Sequence, residues 1–201
     1  LQVEHGVTEM VCGIDIVKWQ IKIANGEPLS FAQKDIQQRG HAIECRIYAE
    51  DPSRNFLPTP GTVRKLILPE GPGIRNDVGI LEGQEVTSAY DPLLAKLIVW
   101  DSNRVDSINR MVYALSNFVI LGLITNQPFL RDIMKDSDYR KASFSTKYVD
   151  DKFSDWSMDE ISPEVFAAAL LGNQASTVSV QKVNGQSLNS PWSNSNWRQG
   201  V

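Results

Sequence analysis

Apolar side chains recur along the chain with two periods, one of 2 and one near 3.6, and the switches between them mark out its elements. Leu1-Gln2-Val3-Glu4-His5 alternates and predicts a short strand, with Gln2 and Glu4 on one face and Leu1, Val3 and His5 on the other. Residues 13–25 predict a helix. Ile14, Val17, Ile21 and Ala24 fall at helical spacing there, Trp19 and Ile23 widen the stripe, and Asn25-Gly26 and Pro28 supply the stop. A polar linker follows, with helical character over residues 30–38. Residues 41–49 then alternate again: Ile43, Cys45, Ile47 and Ala49 share one face, and Glu44, Arg46 and Tyr48 share the other. That is the pattern of a half-buried strand with a charged outer face.

Pro52, Pro58, Pro60 and Gly61 mark a turn-rich loop, and short strand signals come close together after it. Residues 62–68, 74–77, 85–89 and 93–100 predict strands of an antiparallel sheet, separated by Gly- and Pro-containing turns. Residues 103–117 give the clearest helix, with Val105, Ile108, Val112, Leu115 and Val119 in register, Ser102 or Asn103 as cap, and Gly122 as terminator. A second helix starts after Thr125-Asn126 with Pro128 in its first turn and buries Phe129, Leu130, Ile133 and Met134. Residues 144–149 predict a last strand. The expected fold class is α+β, an antiparallel sheet with flanking helices.

The pattern changes near residue 150. Acidic residues among Ser and Trp lead into a short helix over 163–171, a strand-like run over 177–183, a turn at Asn184-Gly185 and a Ser/Asn-rich tail with Trp192 and Trp197. Two domains are therefore expected, 1–150 and 151–201, the second being a linker helix and the start of a further module.

Composition narrows the function classes. The 201 residues are 42% hydrophobic and 22% charged, as in ordinary globular domains. A net charge of -4 without a Lys/Arg block argues against a nucleic-acid partner. No apolar run approaches a membrane-spanning length. Cys12 and Cys45, in apolar contexts without CxxC spacing, read as reduced buried thiols, and two scattered histidines do not add up to a zinc site.

Gln2, Glu4 and Arg46 are the residues with chemical reach. A carboxylate can take a proton from a weak acid within hydrogen-bond distance, and a guanidinium keeps its charge beside a developing oxyanion. On spacing alone the simpler reading has the advantage. Charged residues on strands are mostly solvated faces, and Glu44, two residues from Arg46 on the same face, offers a plain ion-pair partner.

The longer strings change that balance. Leu1 to Met10 and Gly40 to Pro52 resemble the signatures of the biotin carboxylase family, an ATP-grasp family. Phe56-Leu57-Pro58-Thr59-Pro60-Gly61, Tyr90-Asp91-Pro92-Leu93-Leu94-Ala95-Lys96-Leu97-Ile98 and Gly122-Leu123-Ile124-Thr125-Asn126 follow in the same order, so the resemblance covers residues 1–150. It implies that Glu4 is the base that deprotonates bicarbonate, which then attacks the γ-phosphate of ATP. It implies that Arg46 steadies the biotin enolate, and that Gln2 and the Val3 backbone hold bicarbonate. ATP, Mg2+ and biotin on a carrier domain are the implied cofactors. The implied partners are bicarbonate, the carrier domain and a carboxyltransferase subunit, with neither nucleic acid nor membrane among them. Homo-oligomerisation differs between members.

The resemblance leans to the biotin-containing alpha subunits of acetyl-, propionyl- or methylcrotonyl-CoA carboxylases, in a bacterial cytoplasm or a mitochondrial matrix. It also implies that the phosphate loop, the adenine pocket and the metal carboxylates precede Leu1, so that this stretch alone is inactive. An assembly module and a different ATP-grasp ligase are the competing readings. One departure is Gly6, where the family usually has Pro; it is expected to loosen the turn after Glu4. His5 and His41 are expected to be structural, Tyr90 and Asp91 to serve a turn or interface, and Lys96 to snorkel to the surface.

Overall fold

A helix, not a strand, opens the chain. The computed structural model describes residues 1–158, 162–165 and 167. Val3 and Glu4 form a turn, and α1 (His5–Cys12) follows directly, with the Val7 N–H donating to the Glu4 carbonyl at 3.2 Å. Five alternating residues fit the start of an amphipathic helix as well as a strand. Here the backbone bonds are local, with the His5 N–H on the Gln2 carbonyl at 3.3 Å leading into the helix. Gly13, in the left-handed region at φ 68°, ends α1. That forces the next helix, α2 (Ile16–Ala24), to start later than its pattern suggests, capped by Asp15, whose carboxylate accepts from Lys18 N–H at 2.8 Å. No residue of α2 is buried. The helical character expected over 30–38 is one 3-10 turn, Gln33–Asp35.

The strands come next: β1 (His41–Tyr48), β2 (Glu50–Asp51), β3 (Leu57–Pro58), β4 (Gly61–Thr62), β5 (Lys65–Ile67), β6 (Ile74–Val78), β7 (Glu85–Val86) and β8 (Leu93–Asp101). They are followed by α3 (Arg104–Asn117), β9 (Val119–Leu121), α4 (Gln127–Lys135), α5 (Ser137–Arg140) and α6 (Tyr148–Phe153). The central sheet is antiparallel in the order β1-β8-β6, and β2/β3, β4/β7 and β5/β9 form short separate ladders.

The expected strand over 62–68 is split by a change of partner. Val63 N–H donates to the Gln84 carbonyl, while Arg64 N–H donates to that of Leu121. β9 was not expected, and α3 ends before it rather than at Gly122. Gly122 instead sits at φ 109°, where a side chain would collide with the Thr62 carbonyl. The strand expected over 144–149 is overturned by a turn and α6. The Tyr148 hydroxyl donates to Asp136 at 2.7 Å, and Phe153 and Trp156 pack edge-on against Phe129, so aromatic docking replaces sheet pairing. α3 and α4 start as expected, at the Asn103 cap and with Pro128 in the first turn.

The two faces of the central sheet differ. Ile43, Cys45 and Ile47 of β1 align with Val99, Leu97 and Ala95 of β8, and all are buried. Ile108, Met111, Ala114 and Leu115 of α3 complete this core at 0% exposure. Each such Ile or Leu contributes roughly 1.5–3 kcal/mol by leaving water. Leu1–Met158 form one compact unit and residues 159–201 a second. The elements expected at 177–183 and 184–185, Trp192 and Trp197, and most of the helix expected at 163–171 lie outside the described residues.

Candidate active site

The opposite face of the sheet is charged. β1 presents Glu44 and Arg46 there, β8 presents Lys96, and β6 presents Arg75 and Asp77. The register sets Arg46 opposite Lys96 and Lys96 opposite Asp77, a row of three charges across three strands. Two cations side by side repel unless carboxylates answer them. Asp77 answers Lys96 at 3.2 Å. Glu4 answers Arg46 at 2.9 Å, and Glu44 lies at 3.4 Å from the Arg46 Nε.

Residues 1–4 and α1 lie over this face. Gly6, buried in the first turn of α1, brings the helix so close to β8 that a methyl group there would meet the end of Ile98. Glu4 occupies the cap position of α1 without capping it, which leaves its carboxylate for Arg46. Val3 is held through its carbonyl, which accepts from Lys96 Nζ at 3.0 Å. The Gln2 carbonyl accepts from His5 Nδ1 at 2.8 Å. Among the described residues no protein group bonds the Gln2 side-chain amide or the Val3 N–H.

A second ion chain ties α1 to the sheet. Arg75 reaches Glu9 at 2.6 Å and Asp77 at 2.8 Å and 3.0 Å, and the other Glu9 oxygen accepts from Ile16 N–H at 2.7 Å. Burial works to raise the Glu9 carboxyl, but Arg75 and the Ile16 N–H outweigh it and hold it below the ordinary range. The same opposition, burial against Arg75 and Lys96, leaves Asp77 depressed. Asp77 and Glu9 in turn push Arg75 upward, against burial. For Arg46, burial disfavours the charge, and Glu44 and Tyr48 overcome it.

Of the residues singled out in the sequence, Glu4 and Arg46 meet, with Gln2 and Val3 next to Glu4 in the chain, and Val3 and Glu4 stand in a turn rather than on a strand. Glu44 pairs only loosely with Arg46, and its buried Oε2 has no partner. His5 folds back onto the Gln2 carbonyl rather than away along a strand. Lys96 does not snorkel: its side chain is 13% exposed and its ammonium is bound on two sides. His41 packs beside Arg104, and burial, aided by Arg104, lowers its pKa. Tyr90 is exposed, and Asp91 accepts from Leu93 N–H in a turn.

Asn126 went unremarked as a single residue. Its side chain accepts from Tyr48 N–H at 2.9 Å and donates to the Arg46 carbonyl at 3.1 Å, so it fixes the end of β1 just past a register shift. An Asn just before a helix with Pro in its first turn was its only local signal. A cleft of about 490 Å3 between Pro72, Arg110 and Tyr113 lies elsewhere, and its Arg110 is already paired with Asp101. Among the described residues no three ligand-type side chains cluster to hold a metal, and no helix is long and apolar enough to cross a membrane.

This arrangement brings a carboxylate and a permanent cation into contact, with an unengaged backbone N–H at Val3 and an unengaged amide side chain at Gln2 next to Glu4 in the chain. That set can bind a small anion and move a proton from it.

Residues 44–151 match the family model of the biotin carboxylase C-terminal domain, and residues 1–32 match that of the carbamoyl-phosphate synthase L chain, ATP binding domain. Glu4 and Arg46 thus fall in two different domain models. The chain is 47% identical over 151 residues to a pyruvate carboxylase subunit of Methanothermobacter thermautotrophicus, covering 75% of this chain and 31% of that protein. It is 38% identical over 204 residues to the alpha subunit of mitochondrial methylcrotonoyl-CoA carboxylase of Rattus norvegicus, covering 98% of this chain and 28% of that one. The fold superposes on the biotin carboxylase domain of Hydrogenobacter thermophilus 2-oxoglutarate carboxylase, a dimer solved with MgADP, ADP and bicarbonate. The TM-score is 0.77 at 46% identity, covering 80% of this chain and 35% of that one. The chain spans about a third of the length of the relatives it matches. It belongs to the biotin carboxylase C-terminal domain family.

Proposed function

We propose that these residues supply one side of a biotin carboxylase active site, in a protein that carboxylates carrier-bound biotin from ATP and bicarbonate. The observation that carries the reading is the meeting of Glu4 with Arg46 at 2.9 Å beside the unengaged Gln2 amide and Val3 N–H. Gln2 and Val3 N–H bind bicarbonate, and Glu4 takes its proton. The oxygen so freed is the nucleophile for phosphoryl transfer. Arg46 then neutralises the enolate oxygen of the ureido ring. ATP, when bound with Mg2+, supplies the phosphoryl group that activates bicarbonate. The described residues offer no cluster of oxygen ligands for Mg2+, so no role in holding the metal is assigned to them.

The finer reading is an acyl-CoA carboxylase of the alpha type. Its support is the length of the match: the similarity to the methylcrotonoyl-CoA carboxylase protein runs through 98% of the chain, beyond the 75% shared with the pyruvate carboxylase one. On that reading residues 151–201 are a linker helix and the start of a carrier- or subunit-binding module, the partner is a carboxyltransferase, and the compartment is a bacterial cytoplasm or a mitochondrial matrix. The test is Glu4→Gln in the full-length protein. Loss of bicarbonate-dependent ATP cleavage with ATP affinity retained is the expected result, and cleavage at the unmodified rate overturns the assignment.

A further inference from the structure

We infer that His5 and Lys96 are positioning residues that aim the Val3 N–H at the bicarbonate by gripping the two peptide carbonyls on either side of Val3. The inference deepens, and rests on, the reading of Val3 as an anion-binding amide.

A peptide unit is planar, and in the trans form its C=O and N–H point to opposite edges. The Gln2 carbonyl and the Val3 N–H belong to one such unit, and no peptide bond in the described residues is cis. Fixing the Gln2 oxygen therefore fixes the direction of the Val3 N–H. His5 Nδ1 does so at 2.8 Å, and because a carbonyl can only accept, Nδ1 carries the proton. The His5 backbone N–H lies on the same oxygen at 3.3 Å. Lys96 fixes the next unit through the Val3 carbonyl at 3.0 Å. Val3 is thus held between two anchored planes, with both of its backbone torsions constrained.

The two anchors are ends of one ion chain. Lys96 is bound to Asp77 at 3.2 Å, Asp77 to Arg75 at 2.8 Å, and Arg75 to Glu9 at 2.6 Å. Glu9 faces His5 Nε2 at 4.0 Å. The side chains of Lys96, Glu9 and His5 are only 13%, 9% and 13% exposed, so these are not loose surface pairs. A purely structural role would be to dock α1 on the sheet. Docking does not require that both grips fall on carbonyls flanking a residue whose own N–H has no protein partner among the described residues.

The full-length protein separates the two roles. Asn at position 5 keeps a donor where Nδ1 lies, whereas Gln places it where Nε2 lies. His5→Gln and Lys96→Met are expected to raise the KM for bicarbonate about tenfold or more, the weight of one hydrogen bond to a charged group, with the KM for ATP unchanged. His5→Asn and Lys96→Arg are expected to recover most of it. Equal behaviour of His5→Asn and His5→Gln, or parallel rises in both KM values, overturns the inference. If Lys96→Met does not fold, the His5 pair decides alone. Glu4→Gln run alongside keeps the failures distinct. Unchanged ATP cleavage in it sinks the base assignment, while its loss together with normal His5 variants sinks only the positioning role.

Discussion

Arg46 Nη2 donates to Glu4 Oε2 at 2.9 Å across 42 residues of sequence. Arg46 stands on a rigid strand and Glu4 at the start of a helix, so the pair bridges the two domain models that the chain matches. Both side chains are more than a third exposed, at 39% and 57%. An exposed pair of this kind contributes about 0–1 kcal/mol to folding. Arg46→Ala nevertheless also takes the ion partner from Glu44, whose side chain is only 6% exposed, so the melting temperature is expected to fall, and the Glu4 contact accounts for little of that fall. In the full-length protein it is expected to cut carboxybiotin formation far more than bicarbonate-dependent ATP cleavage. Equal losses in both assays would make Arg46 a merely structural residue.

Asn126 predicts the opposite balance. Its amide completes the hydrogen bonding of β1 at Arg46 and Tyr48 from a buried position. Asn126→Ala strands two backbone groups and should cost about 2–3 kcal/mol, by the desolvation of unpaired buried groups. Denaturant unfolding measures this directly. The neighbouring Gln127 donates to the Leu115 and Phe118 carbonyls at 2.5 and 2.6 Å, so Gln127→Leu should fray the end of α3.

Acid should unlock α1 from the sheet and α6 from α4. Glu9, Asp77 and Asp136 all have carboxyl groups held below their ordinary values of 4.5, 3.8 and 3.8. For Asp136, burial acts upward, and Lys152, the Tyr148 hydroxyl and two backbone N–H groups outweigh it. A folded pKa below the unfolded one stabilises above the unfolded value and is lost as pH falls through the folded one. The melting temperature is expected to fall slightly as pH drops through about 6.5, where His41 takes up a proton more readily in the unfolded chain, and to drop further below about 4. Glu9→Gln should soften that drop, and an unaltered profile would remove Glu9 from the account.

Cys45 should be chemically silent. It is buried beneath α3, and burial, reinforced by Glu44, pushes its thiol up to about 12. Cys12 is partly accessible. Alkylation at about pH 8 followed by mass spectrometry should add one label to the native protein and two after denaturation, because only a thiolate in contact with solvent reacts.

The sequence by itself determined the long, strongly periodic elements. The alternation of residues 41–49 marks β1 and puts Arg46 on its charged face. The apolar run at 93–100 marks β8, and the stripe from Val105 to Leu115 with its Asn103 cap marks α3. In each, eight or more residues carry one continuous signal, periodic in β1 and α3 and uniformly apolar but for Lys96 in β8, enough to outweigh local ambiguity. The colinear strings identified the family for the same reason. Tertiary structure decided whatever depended on a partner. Five alternating residues at the start fit either period, and the chain there closes on itself in a turn that leads into a helix. β4, β5 and β9, two or three residues each, exist only because each found a complement. Which carbonyls His5 and Lys96 hold, and that Glu4 reaches Arg46, depend on α1 lying over a particular face of the sheet. A side-chain pattern records which face a residue is on, but not what will be laid across it.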